Sequence, residues 1–170
     1  MKIGIPRDYI FSVDLVAFDQ LPDSIHNHRG GQMVTYNETV LAIGGEVTAQ
    51  VEHLLQNTWE QSDIPPVGNV NIALTDFSAL MINNNIIIFG GYRWDYYRRD
   101  VPTNAVWSFT NQDTVWTRKT LLRRPRTYHT SAFLNGQIYH FGGCYYSTVK
   151  CDISNSVRYE QTIFVRFKTT

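Results

Sequence analysis

The sequence predicts an all-β protein built from repeated four-stranded antiparallel sheets. Three observations predict it. A short apolar run ends in a double glycine three times, as "VLAIGG" (Gly44, Gly45), "IIIFGG" (Gly90, Gly91) and "IYHFGG" (Gly142, Gly143). The spacings between first glycines are 46 and 52 residues, a period that signals a repeat architecture. An asparagine (Asn37, Asn83, Asn135) stands seven positions before the first glycine in every copy, and no segment shows helical periodicity.

Each copy divides into strand, tight turn, strand and glycine pair. Asparagine tolerates the left-handed backbone of a tight hairpin, and Asn135–Gly136 is a strong hairpin signal. In the middle copy the strands fall at 77–82 and 86–89, turning at 83–85. Their nearly continuous apolar character suits strands packed on both faces. Two further aromatic-rich segments follow each glycine pair: 51–54 and one starting near Trp59, 105–109 and 115–119, 156–159 and 163–167. An aromatic also precedes the next pair at a regular distance: Phe18, Trp59 and Trp116 lie 26, 31 and 26 residues before Gly44, Gly90 and Gly142. Their regularity assigns Trp59, Trp116, Phe18 and Phe167 to the core between repeats. Glycine relieves a crowded turn where the second strand ends, so Gly90→Val and Gly142→Val should both clash.

This pattern resembles the kelch repeat. "RRPRTYHTSAFLNGQIYHFGG" (123–143) carries it best, with Arg126 and His129 leading into the first strand. The second copy lacks that Arg and His, and the third has Phe167 in place of a late Trp. The resemblance implies that each copy is one blade of a β-propeller. It implies one domain over 1–170, with a remnant blade at 1–22 and blades at 23–66, 67–124 and 125–170. A closed ring takes about four to eight blades, so this one is incomplete. Either further blades come from a larger propeller, the preferred account, or copies self-associate to complete a ring. Arg126 and His129 are structural residues in this reading, hydrogen-bonding within or between blades.

Composition and charge narrow the function. The chain is 43% hydrophobic and 18% charged, a globular balance, and its formal net charge is zero, which argues against nucleic acid as partner. The charge is polarised. Residues 1–85 hold three Lys or Arg and ten Asp or Glu, giving 3 − 10 = −7. Residues 86–170 hold twelve and five, giving 12 − 5 = +7. No signal sequence or membrane span is read, and a cytoplasmic location is expected. Cys144 and Cys151 read as two free thiols in a reducing compartment, with a small loop-closing disulfide as the alternative.

Catalytic signals are absent from the sequence. His26 and His28 share a loop with no carboxylate at ligand spacing, His53 and His140 stand apart, and no motif calls for a metal or cofactor. Kelch-type propellers also occur in galactose oxidase-like copper enzymes, which makes a propeller enzyme the alternative reading. The stronger reading is protein binding. The loop after Gly91 is an insertion relative to the first copy, and it gathers Tyr92, Arg93, Trp94, Tyr96, Tyr97, Arg98 and Arg99. Tyr, Trp and Arg are the residues most enriched at interface hot spots. Arg123 and Arg124, in a second basic loop, join them as candidate partner-binding residues.

Overall fold

A computed structural model describes residues 22–93, 101–144 and 160–161. Three antiparallel sheets stand side by side. The first holds β1 (Gln32–Tyr36), β2 (Thr39–Ile43), β3 (Val51–Leu55) and β4 (Thr58–Gln61), in chain order across the sheet. Two short strands, β5 (Leu74–Thr75) and, further on, β8 (Tyr92–Arg93), join β9 (Val101–Pro102) in a small separate sheet. The second large sheet is also a meander: β6 (Ser78–Ile82), β7 (Asn85–Phe89), β10 (Ala105–Thr110) and β11 (Thr117–Leu121). In the third, β12 (Thr127–Leu134) pairs with β13 (Gln137–Cys144), which pairs with β14 (Glu160–Gln161). No closed ring forms among the described residues.

The turns explain the register. Asn37–Glu38, Gln56–Asn57, Asn83–Asn84 and Asn135–Gly136 all have positive φ at both positions. That is the mirror-image turn whose twist matches a two-residue hairpin. The middle turn is therefore one residue shorter than the sequence suggests, and Asn85 opens β7 opposite Ile82. Trp116 likewise precedes β11 rather than lying inside it. In the third sheet, Glu160 and Gln161 pair with His140 and Tyr139, between the two segments assigned to strands. Those segments, residues 1–21 with Phe18, and Phe167 lie outside the described residues.

Alternation along β7 builds two cores. Ile86 and Ile88 point to the first sheet and pack with Val34, Leu41, Ile43, Val51, Phe77 and Trp116. Ile87 and Phe89 point the other way and pack with Ile82, Val106, Leu122 and Ile138. Because β7 is covered on both faces, its run is apolar at every position, not at alternate ones. Trp116 is held by a clamp: its indole N–H donates to the Pro65 carbonyl at 2.7 Å, and Asn69 brackets its backbone N–H and carbonyl.

One sequence expectation is overturned here. Cys144 is disulfide-bonded, not a free thiol. Its chain neighbourhood allows this, because Cys151, the other cysteine in the sequence, lies only seven positions on. Cys151 itself is outside the described residues. The thiol argument for a reducing compartment therefore falls.

Candidate protein-binding face

In each meander the hairpin turns lie at one end of the sheet and the longer connections at the other. The connection end carries both segments that the sequence singled out. The loop after Gly91 is rooted in a ribbon: Tyr92 pairs with Pro102 and Arg93 with Val101, and the same two residues pair with Thr75 and Leu74. The loop's tip, with Trp94, Tyr96, Tyr97, Arg98 and Arg99, lies outside the described residues. The second basic segment docks onto the base of this loop. Leu122 N–H donates to the Asn104 carbonyl at 2.8 Å, and Arg126 N–H to the Thr103 carbonyl at 3.2 Å. Arg123 and Arg124 are exposed between these two bonds. Two loops about thirty positions apart in sequence thus become one surface.

Arg93 belongs to the root and not to the exposed part. Its guanidinium donates to the Val67 carbonyl at 3.1 Å and lies 5.8 Å from the centre of the Trp107 ring. Burial, reinforced by the nearby positive charge of Arg118, lowers its pKa. Tyr92 stands between: it is half-buried, and its ring meets Tyr128 edge-on at 5.7 Å.

Tyr128 is a residue that sequence reading missed. It has the equivalent position in its repeat to Gly30 and Asp76, and all three have positive φ (+53° at Tyr128, +73° at Gly30, +54° at Asp76). The three are linked in a relay: Asp76 N–H donates to the Gly30 carbonyl at 2.7 Å, and Tyr128 N–H to the Asp76 carbonyl at 3.0 Å. Glycine and aspartate suit that conformation; a bulky aromatic does not. Yet Tyr128 is 60% exposed, so core packing does not demand its ring. Its hydroxyl hydrogen-bonds Asp76, whose carboxyl is raised chiefly by burial. The signal was available in the repeat alignment, as an aromatic where the other copies carry Gly and Asp.

The repeat residues are placed as follows. Gly44, Gly45, Gly90 and Gly91 are buried, as are Trp59, Trp116 and His129. A Cβ on Gly90 would overlap the Arg126 carbonyl oxygen, whereas one on Gly142 meets nothing within 4 Å among the described residues. The clash expected at Gly142 is therefore absent among the described residues; its φ of +67° still disfavours a side chain. Arg126 reaches across its own hairpin to donate to the Gly142 carbonyl at 2.6 Å. Its ring packed 5.6 Å from that of His140, His129 has its pKa lowered to about 3 by burial, with His140 and Arg126 adding to the effect.

His26 and His28 do meet a carboxylate, brought from β3. Glu52 is fully buried and accepts from Ile25 N–H at 2.9 Å, His26 N–H at 2.8 Å and the His26 ring at 2.6 Å. The His28 ring lies 3.1 Å from the same carboxylate, with its other nitrogen 2.6 Å from the Gly44 carbonyl. Burial pushes the Glu52 carboxyl up, but these hydrogen bonds outweigh it and hold it below the ordinary value. The cluster clasps the segment leading into β1 to the first sheet. No group of three or more ligating side chains placed to hold a metal occurs among the described residues. No helix among them is long and apolar enough to cross a membrane.

No family model matches the chain. A stretch of 68 residues, 39% of the chain, is 40% identical to Kelch-like protein 30 of Homo sapiens. The solved structure of YjhT superposes on 72% of the chain with a TM-score of 0.62 at 18% identity, a likeness of fold. The chain spans 11% of the length of the first and 36% of the second. Repeat, sheet topology and these two likenesses together support a kelch-type β-propeller fold, its blades forming no closed ring among the described residues.

Proposed function

We propose that this chain is a protein-interaction module, binding a protein partner through the connection end of its blades. The observation that carries the reading is the joining of the 92–103 loop to the Arg123–Arg124 segment, with Tyr128 exposed beside them at a backbone cost. Aromatic and arginine side chains on a rigid base are what an interface core uses. The scaffold supplies Tyr92, Arg93 and Arg126 as supports, while Trp94, Tyr96, Tyr97, Arg98, Arg99, Arg123, Arg124 and Tyr128 supply contact. The partial likeness to Kelch-like protein 30 supports the propeller scaffold on which this reading rests.

The test replaces Trp94, Arg98 and Arg99 by alanine together. Proteins recovered on the immobilised chain from a lysate are expected to fall sharply in yield, with the melting midpoint unchanged. Recovery of the same proteins in equal yield would remove the loop from the binding face.

A further inference from the structure

We infer that Asn37 is an N-glycosylation site and that the chain folds in an oxidising, glycosylating compartment. Asn37–Glu38–Thr39 has the asparagine, the non-proline middle residue and the hydroxyl two positions on that N-linked transfer requires. No other asparagine of the chain has Ser or Thr two positions on. The turn itself does not demand this triplet. The equivalent hairpins read Asn83–Asn84–Asn85 and Asn135–Gly136–Gln137, with the asparagine kept and the hydroxyl absent. The geometry suits an acceptor. Asn37 and Glu38 are exposed at the tip of the β1–β2 hairpin, which the Tyr36–Thr39 pair closes. A bulky, solubilising group there has solvent around it. It also lies at the hairpin end of the sheet, away from the 92–103 loop. Thr39 is half-buried, and its hydroxyl donates to the Leu54 carbonyl. N-linked transfer takes place before the chain folds, so that hydroxyl serves the acceptor first and the sheet afterwards.

The compartment follows from a different residue in a different sheet. Cys144 ends β13, is buried, and is disulfide-bonded. The sequence holds one other cysteine, Cys151. A reducing cytosol keeps such a pair as thiols, whereas disulfides persist in the secretory route, where N-glycans are also added. Both steps balance with reagents of that route. The Asn37 amide nitrogen bonds to C1 of an oligosaccharide carried on a lipid diphosphate. The bond from C1 to the diphosphate oxygen breaks, the amide gives up one proton, and the lipid diphosphate leaves. The two thiols give two electrons and two protons to a disulfide-donating oxidoreductase, which is reduced to its dithiol.

Mass spectrometry of the protein isolated from its own organism tests this. Digestion with a peptide N-glycosidase in heavy-oxygen water should convert Asn37 to aspartate carrying the heavy label. Alkylation should reach Cys144 and Cys151 only after reduction. The full chain, routed through the secretory pathway of cultured cells, should lose mass on the same digestion. Asn37→Asp, which tolerates the left-handed turn, should abolish that loss without changing the circular dichroism spectrum, and Thr39→Ser should keep it. An unlabelled Asn37 in the native protein overturns the inference. So do cysteines alkylated without reduction, or a mass loss that persists in Asn37→Asp. Partner recovery by the 92–103 loop variant is independent of all these outcomes.

Discussion

At the scale of single residues, equivalent positions carry unequal loads. Gly90 has both positive φ and a carbonyl where a Cβ would go, while Gly142 has only the former. Gly90→Val should cost about 3 kcal/mol and Gly142→Val about 1–2 kcal/mol, read as a larger fall in melting midpoint for the first. Glu52→Gln keeps the shape but loses the charge that holds His26 and His28, and should cost about 2–3 kcal/mol in a denaturant titration. His129 sets a pH dependence. Its folded pKa of about 3 lies below the ordinary value of 6.5, so the unfolded chain takes up the proton first. Stability from this group is whole above about 6.5 and falls as pH drops toward 3, and His129→Gln should flatten that part of the profile. Glu52 acts in the same direction, with its contribution lost only as pH falls through its lowered folded pKa. The asparagine turns were legible in the sequence because they are local: one residue type answers one backbone conformation. The Glu52 clasp was not, because its partners are more than twenty positions apart and only the fold joins them.

At the scale of elements, the meander was legible from the repeat itself, since a hairpin and a glycine pair recur at a fixed offset. What the sequence could not show was how loops sit on one another. The stretch after Gly91 looks like one burst of aromatic and cationic residues, yet its first two members are structural. Arg93→Ala removes a hydrogen bond to Val67 and the contact with Trp107, and should lower stability by about 1–2 kcal/mol in a thermal melt. Alanine at the exposed Arg123 should leave the melt within about 0.5 kcal/mol of the unaltered chain. The joining of Arg123 and Arg124 to the loop base rests on two backbone hydrogen bonds and on one from the Asn104 side-chain amide to the Leu122 carbonyl, between partners 18 positions apart that no local pattern connects.

At the scale of the whole molecule, two sheet junctions are filled among the described residues, each by a glycine pair under a carbonyl, and the two halves of the chain carry opposite charge. The repeat made the blade class legible; how the blades' exposed faces are used is a matter of surfaces that no local pattern encodes. The scaffold and the binding surface are separable in this account, and Tyr128 is where they separate. The most direct measurement pairs two readouts on Tyr128→Asn. Asparagine tolerates the left-handed backbone, which offsets the lost hydrogen bond to Asp76, so the melting midpoint should hold within about 1 kcal/mol of stability. Affinity for a protein partner recovered on the unaltered chain should fall by about tenfold or more, as for an interface aromatic. A lower melting midpoint with undiminished affinity would contradict the account, since Tyr128 would then belong to the scaffold alone.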